Sequence, residues 1–193
     1  MSWQPRLGEH PWLEPYAAAT NVPGGGSAAA VAGARKAGAA PAAALTDLAV
    51  AADRLRARFL VNERADADAY ERMVATARAA RAAADDAVAA RAAAAAAVAA
   101  TQVPLDTAGL AGQGLDLARR LVGHGLDRTA SDQLTAVHLL LASLAGALAT
   151  VRINLADLPD ESVRGRLRAR HDELAGARKA GDEAVAVLGA LLG

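Results

Sequence analysis

The clearest pattern along this chain is a series of apolar residues spaced alternately three and four positions apart: Leu134, Val137, Leu141, Leu144, Leu148 and Val151. This spacing places all of them on one face of a helix. The pattern therefore predicts a core helix over residues 132–153. Ser131 is its predicted N-cap, and Asp132 follows in the first turn, where the helix dipole favours a negative charge.

Proline and glycine residues divide the rest of the chain into further helical stretches. They predict helices near residues 27–40, 45–81, 84–102, 105–122, 132–153 and 160–191. Pro41 is expected to interrupt or kink the first stretch, and Gln102 and Val103 to leave the helix before Pro104. We therefore expect an all-α, up-and-down bundle of about six helices in a single domain spanning residues 1–193.

The composition supports helices over strands, because alanine dominates, β-branched residues are sparse and aromatic residues make up only 3% of the chain. Small side chains between residues 82 and 100 let neighbouring helices come close but supply little apolar area per residue. The remaining burial is expected from leucine-rich helices or from a second subunit, which predicts a homodimer that forms through helix packing.

Charge and cysteine content exclude several classes of function. Lys plus Arg equals Asp plus Glu at 21 each, so neither nucleic acid nor an anionic membrane is an expected partner. Without cysteine there are no disulfides, no thiolate catalysis and no cysteine metal site, and the histidines lack His-x-x-x-His spacing. Residues 1–13 hold no apolar signal region, and the most apolar run, 92–100, is too short to span a bilayer. We expect a cytoplasmic protein without a metal.

Three consecutive glycines in the segment Pro23–Ser27 have no explanation in helix propensity or core filling. Glycine reaches positive φ and lets a ligand approach the backbone, while Ser27 can cap the helix that follows. The backbone N–H groups at that helix N-terminus have no partner within the helix, so they can bind an anion or a polarised ligand atom. A flexible turn before a capped helix explains the segment equally well. No Gly-Lys-Ser/Thr follows, which excludes a P-loop.

Several short motifs then occur in a characteristic order: Pro23-Gly24-Gly25-Gly26-Ser27, Leu45-Thr46, Asp66-Ala67-Asp68-Ala69-Tyr70, Ser131-Asp132 and Val151-Arg152-Ile153-Asn154-Leu155. With them, residues 12–160 resemble the formimidoyltetrahydrofolate cyclodeaminase and methenyltetrahydrofolate cyclohydrolase family. The resemblance implies a dimeric helical bundle that binds a reduced folate in a cleft. It also implies chemistry on the carbon that bridges two folate nitrogens, with a tetrahydrofolate derivative as substrate and no separate cofactor.

The sequence departs from the family pattern at four places. One is the asparagine expected after a glycine near residue 123, which appears as His124 or is absent. Leu134 replaces a glycine, Thr150 replaces an asparagine, and Asp47–Val50 replace a lysine-rich tail. Lysines there would suit the glutamate tail of folate. Nearby arginines, at positions 54, 56 and 58, either replace those lysines or are simply solvated.

The chemistry that the resemblance implies needs a carboxylate near positive charge, a proton carrier and oriented polar donors. Asp132 and Asp66 are the candidate carboxylates and His138 the candidate proton carrier. The candidate substrate-binding residues are Pro23, Gly24, Gly25, Gly26, Ser27, Tyr70, Ser131 and Asn154.

Structural roles remain open for each of the main candidates. Asp132 can simply stabilise the helix dipole, and Asp66 can be a solvated neighbour of a packed Tyr70. His138 fits a buried, hydrogen-bonded role, and Asn154 fits a helix cap as well as a pterin ligand. Two other functions also fit the chain: a homologue repurposed for another cyclic imine, amidine or amine-bearing small molecule, and a non-catalytic helical dimer that binds a ligand or a protein.

Overall fold

Five helices make up the described part of the chain. A computed structural model describes residues 39–83, 85–122, 124 and 129–193. The helices are α1 (Ala39–Ala82), α2 (Ala87–Val122), α3 (Ala130–Ala156), α4 (Glu161–Ala175) and α5 (Arg178–Leu192). Because no strand occurs within those residues, the prediction of an all-α fold is confirmed. The predicted helix near 27–40 lies outside the described residues, apart from its last two positions.

The three long helices α1, α2 and α3 follow one another along the chain, and each runs antiparallel to the one before it. Arg58 of α1 contacts Gln113 of α2, while Asn62, one turn further along α1, contacts Thr107, further back along α2. Helix α3 is likewise antiparallel to α2, because Asn154 near the end of α3 contacts Ala100 in the first half of α2. Helix α2 packs against all four other helices and therefore forms the centre of the bundle.

The apolar seam predicted for residues 132–153 is confirmed. Val137, Leu144, Leu148 and Val151 are buried, and the remaining two leucines of the seam are partly buried against the same core. By length and composition α2 and α3 also qualify as membrane-crossing helices. This supports a membrane location only weakly, because the core helix of a soluble protein passes the same test and both helices contribute to the core.

The predicted break before Pro104 is wrong, because residues 84–102 and 105–122 contribute to the single helix α2. Proline has no N–H and so cannot donate to the carbonyl of Ala100, four residues earlier. The side-chain Nδ2 of Asn154 donates to that carbonyl instead, over 3.3 Å. The interhelical bond supplies the donor that Pro104 lacks and lets the helix continue.

Two further predictions about helix ends are also wrong. The stretch 160–191 is divided into α4 and α5 at Gly176 and Ala177. Helix α3 begins at Ala130 with Thr129 as its N-cap residue, so Ser131 lies inside the helix and does not cap it. By contrast, Asp160 caps α4, since its Oδ1 accepts a hydrogen bond of 3.1 Å from the backbone N–H of Val163.

Helix α5 approaches α2 and α3 closely at Gly181. A Cβ atom added at Gly181 would lie 2.6 Å from Cδ2 of Leu141 and 2.9 Å from Cδ2 of Leu115. Both distances are shorter than a carbon–carbon contact allows. The missing side chain at Gly181 therefore sets how deeply α5 sits against the core.

Candidate functional site

A cavity of about 290 Å³ opens where α1, α2 and α3 meet. We call it the Asp66 cavity. Its lining combines apolar, hydroxyl, amide and carboxylate groups from Phe59, Asn62, Glu63, Asp66, Pro104, Thr107, Ala147 and Thr150. Five of these eight residues are polar, so the cavity offers several hydrogen-bonding groups to a small polar ligand.

An amide–hydroxyl pair fixes one wall of the Asp66 cavity. Nδ2 of Asn62 donates to Oγ1 of Thr107 over 2.6 Å and to the carbonyl of Val103 over 3.3 Å. The Thr107 hydroxyl in turn donates to the Val103 carbonyl over 3.2 Å. Because the amide nitrogen is held by α2, the carbonyl oxygen of Asn62 keeps its orientation and can accept a hydrogen bond from a ligand.

Two carboxylates, Asp66 and Glu63, lie on α1 at the edge of the same cavity, and both residues are exposed. Their spacing of three positions puts them on one helix face. In the part of the chain that the structure describes, neither of them forms an ion pair with Lys or Arg. The cavity therefore presents negative charge without a compensating cation, which complements a positively charged ligand.

Thr150 of α3 closes the cavity from the opposite side. Its hydroxyl donates to the carbonyl of Gly146 over 3.2 Å, so its proton is used within the helix and its oxygen can only accept from a ligand. An asparagine at this position, as the family pattern has it, would offer two donors as well. The departure at Thr150 thus changes the hydrogen-bonding character of the cavity wall.

The predicted residues near this end of the bundle have different surroundings. Asp66 lines the cavity, whereas Tyr70, one turn further along α1, is 62% exposed and does not line it. The alternative in which Tyr70 is a packed aromatic is therefore wrong, and its predicted role in substrate binding stays a prediction. Asn154 bonds to Ala100 between two helices, and α3 continues past it to Ala156, so its predicted role as a helix cap is also wrong.

The other predicted candidates lie near the opposite end of α3. Ser131 and Asp132 are exposed in its first turn. Asp132 lies 18 positions before Thr150, which corresponds to about 27 Å along the axis. His138 is 12 positions before Thr150, or about 18 Å, and it is exposed. The buried structural role considered for His138 is therefore wrong. Within one copy of the chain, the structure does not bring Asp132 or His138 to the Asp66 cavity.

The glycine-rich segment Pro23–Ser27 lies outside the described residues. Its five candidate residues, Pro23, Gly24, Gly25, Gly26 and Ser27, stay predictions. Among the residues that are described, no group of three His, Cys, Asp or Glu side chains is arranged to hold a metal ion.

Three polar residues of the Asp66 cavity were not singled out from the sequence: Asn62, Glu63 and Thr107. Asn62 and Asp66 are four positions apart, so helical spacing could have suggested that they share a face. Thr107 had no comparable signal, because the sequence does not show which face of its helix packs against α1.

A family model described as formiminotransferase-cyclodeaminase matches residues 10–173 of the chain. The match covers well over half of the 193 residues and includes every residue that lines the Asp66 cavity. No curated protein matches the chain.

Proposed function

Since this chain belongs to the formiminotransferase-cyclodeaminase family, we propose that it is an enzyme of folate one-carbon metabolism, a cyclodeaminase or a cyclohydrolase. Its reaction would take place at the carbon that bridges two folate nitrogens. The observation that carries the proposal is the position of Asp66 and Glu63 at a cavity walled by Asn62, Thr107 and Thr150. The two carboxylates complement the positive charge of a methenyl-bridged folate.

In the cyclohydrolase reaction, Asp66 is the proposed general base. The oxygen of a water molecule bonds to the cationic methenyl carbon while Asp66 takes a proton from that water. One of the two C–N bonds then breaks, and its nitrogen keeps the bonding pair and receives the proton held by Asp66. The oxygen on the former methenyl carbon loses its remaining proton to solvent as the C=O bond forms, which leaves a formyl group on the other nitrogen. Glu63 would stabilise the cation electrostatically throughout.

In the cyclodeaminase reaction the second folate nitrogen attacks the formimino carbon and ammonia leaves. With the formimino group protonated as an amidinium, the attacking nitrogen must lose a proton and the departing nitrogen must gain one. The Asp66 carboxylate is the proposed carrier that takes the proton from the first nitrogen and passes it to the second, so that neutral ammonia leaves and the methenyl cation remains. The Asn62 carbonyl oxygen, held by the bond from its amide to Thr107, is suited to accept an N–H of the folate ring.

Asp132 and His138 can take part only if a second copy of the chain supplies them, because about 27 Å and 18 Å along α3 separate them from Thr150. We propose that the chain forms a homodimer and acts in the cytoplasm. Two exposed leucines support such a dimer. Leu60 is 43% and Leu139 67% exposed, and both lie at an apolar groove between α1 and α3 that a second copy of the chain could cover.

A repurposed homologue is the second candidate function, and the position of Thr150 favours it. This departure from the family pattern lies in the wall of the Asp66 cavity, where it bears directly on which ligand fits. Such a protein would act on a different cationic or amine-bearing heterocycle with the same carboxylates.

The test is the loss of the near-ultraviolet band of methenyltetrahydrofolate, together with ammonia release from formimino-tetrahydrofolate. We expect the wild-type chain to accelerate one of them and Asp66→Asn to lower kcat/KM by about 10²–10⁴-fold. Asp68→Asn is the matched control, since Asp68 is exposed on α1 and does not line the cavity. Absence of turnover of both folates by the wild type would refute the folate enzyme. Loss of a measured turnover in Asp66→Asn, with the fold intact, would refute the non-catalytic dimer.

A further inference from the structure

The polar side chains that line the Asp66 cavity use their hydrogen-bond donors within the protein. The amide nitrogen of Asn62 makes two bonds, one to the Thr107 hydroxyl and one to the Val103 carbonyl. The hydroxyl of Thr107 donates to that same carbonyl, and the hydroxyl of Thr150 donates to the carbonyl of Gly146. What these three side chains offer to a ligand is therefore oxygen acceptors.

The rest of the lining adds acceptors and no donor. All eight lining residues lie inside α1, α2 or α3, where backbone N–H groups bond to carbonyls four residues earlier. Pro104 has no backbone N–H at all. Asp66 and Glu63 offer only acceptors as carboxylates, and among the described residues no Lys or Arg belongs to the lining. The wall of the cavity is thus negatively charged and accepts hydrogen bonds without donating any.

The size and the chemistry of the cavity together define the group that it can hold. Its volume of about 290 Å³ lies just below the roughly 300–1,000 Å³ of pockets that enclose a whole small molecule, so it suits one functional group of a larger ligand. A carbonyl group there would face other lone pairs and stay unpaired, whereas N–H groups would all find partners. Planar amidinium and guanidinium groups combine positive charge with several N–H donors and have no acceptor.

Thr150 is the residue that makes the wall accept only. The asparagine of the family pattern would bring an amide NH₂ group to this position. In threonine the single proton goes to the Gly146 carbonyl over 3.2 Å, which leaves the oxygen for a ligand. Thr150 is exposed, so its side chain can affect the choice of ligand without supporting the core.

We propose that the Asp66 cavity binds amidinium and guanidinium groups and that Thr150 determines this specificity. For folates the inference rests on the proposed function. A protonated formimino group is an amidinium with N–H donors, whereas the methenyl carbon of the cyclohydrolase substrate carries no N–H, so the wall favours the deamination. Recognition of the amidinium group itself needs no pterin ring, and simple amidinium compounds should therefore bind at the same place.

Three ligands with the same phenyl ring separate hydrogen bonding from charge. Benzamidinium has both the charge and the N–H donors, phenyltrimethylammonium has the charge without N–H, and benzamide is neutral with a carbonyl oxygen. In NMR titrations of the purified chain, we expect benzamidinium to bind at least about tenfold more tightly than either of the others. Equal affinity of phenyltrimethylammonium would mean that charge alone acts, which overturns the proposal. Absence of saturable benzamidinium binding overturns it as well.

Two substitutions at position 150 test whether this residue sets the preference. Thr150→Val keeps the shape but removes the oxygen, so benzamidinium should bind about threefold to tenfold more weakly. Thr150→Asn adds donors, so the preference for benzamidinium over benzamide should fall by several-fold. Thr135→Val is the matched control, because the exposed Thr135 donates to the Ser131 carbonyl over 2.9 Å in the same way and does not line the cavity. If both Thr150 variants bind the ligands as the control does, the proposal is wrong.

Turnover separates this proposal from the proposed function. If folate is turned over but the three ligands bind equally, the amidinium proposal fails and the enzyme stands. If no folate is turned over but benzamidinium binding depends on Thr150, the folate enzyme fails and the amidinium site stands. If both hold, benzamidinium should inhibit the deamination competitively, and Thr150→Val should weaken inhibition by the same factor as binding.

Discussion

The side-chain amide of Asn154 donates a hydrogen bond to the backbone carbonyl of Ala100, whose helical partner would be the N–H that Pro104 lacks. This contact joins two helices at the Asp66 cavity, because Pro104 lines that cavity on α2 and Thr150 lines it one turn before Asn154 on α3. A proline that would weaken an isolated helix is thereby accommodated in the bundle. The bond fixes the position of α3 relative to the cavity wall.

Replacing Asn154 with alanine should lower the free energy of unfolding by about 1–3 kcal/mol, because it leaves the carbonyl of the buried Ala100 without a donor. In a Pro104→Ala background the restored backbone N–H can bond to the same carbonyl. The cost of Asn154→Ala should therefore be smaller there. Urea denaturation of the wild type, both single variants and the double variant measures the difference. An equal cost in both backgrounds would contradict the proposed compensation.

The same contact shows why part of the fold was predictable from sequence and part was not. The seam from Leu134 to Val151 is a periodic signal within one helix, and the structure confirms it. The effect of Pro104 depends on Asn154, 50 positions away, which no local rule about proline takes into account. The division of the stretch 160–191 near Gly176 was missed for a related reason: a lone glycine inside a helical pattern is tolerated unless packing requires a turn.

The candidate site, like the fold, could be predicted from the sequence only in part. Asp66 was identified from its motif, and the structure places it at a cavity. Asp132 carried an equally specific motif, but the distance between the ends of α3 separates it from Asp66. Sequence gives positions along each helix and does not give which ends of different helices meet.

Gly181 of α5 should not tolerate a side chain. Alanine there would bring Cβ within 2.6 Å of Leu141 and 2.9 Å of the fully buried Leu115, so α5 must shift or the core must repack. We expect Gly181→Ala to lower the free energy of unfolding by about 1–3 kcal/mol. Gly189 on the same helix is the matched control, since an added Cβ meets nothing within 4 Å. Gly189→Ala should stabilise by up to about 1 kcal/mol through helix propensity.

Thermal denaturation of the two glycine variants tests this prediction directly. Both substitutions change helix propensity in the same way, so the difference between their melting temperatures reports the steric effect at Gly181. A stabilised Gly181→Ala variant would show that α5 does not sit against α2 and α3 as closely as described.

The bond from Asn62 to Thr107 should couple the two residues energetically. Asn62→Ala and Thr107→Val each remove the bond of 2.6 Å, so the double variant should lose less stability than the sum of the single variants. We expect a coupling energy of about 0.5–1.5 kcal/mol in a double-mutant cycle. Both single variants should also reduce turnover, because Asn62 and Thr107 line the Asp66 cavity. Strict additivity of the two stability changes would argue that the bond contributes nothing.

The two carboxylates at the cavity should make binding sensitive to the charge of the ligand. Glu63→Gln removes one of the two negative charges, so the preference for cationic methenyltetrahydrofolate over tetrahydrofolate, whose ring is neutral, should fall by several-fold. Glu71→Gln is the control, since Glu71 is exposed on α1 and does not line the cavity. Raising the salt concentration should reduce the same preference in the wild type, because exposed charges are screened. Competition binding of the two ligands measures both effects, and a preference that neither Glu63→Gln nor salt changes would rule out charge complementarity at this cavity.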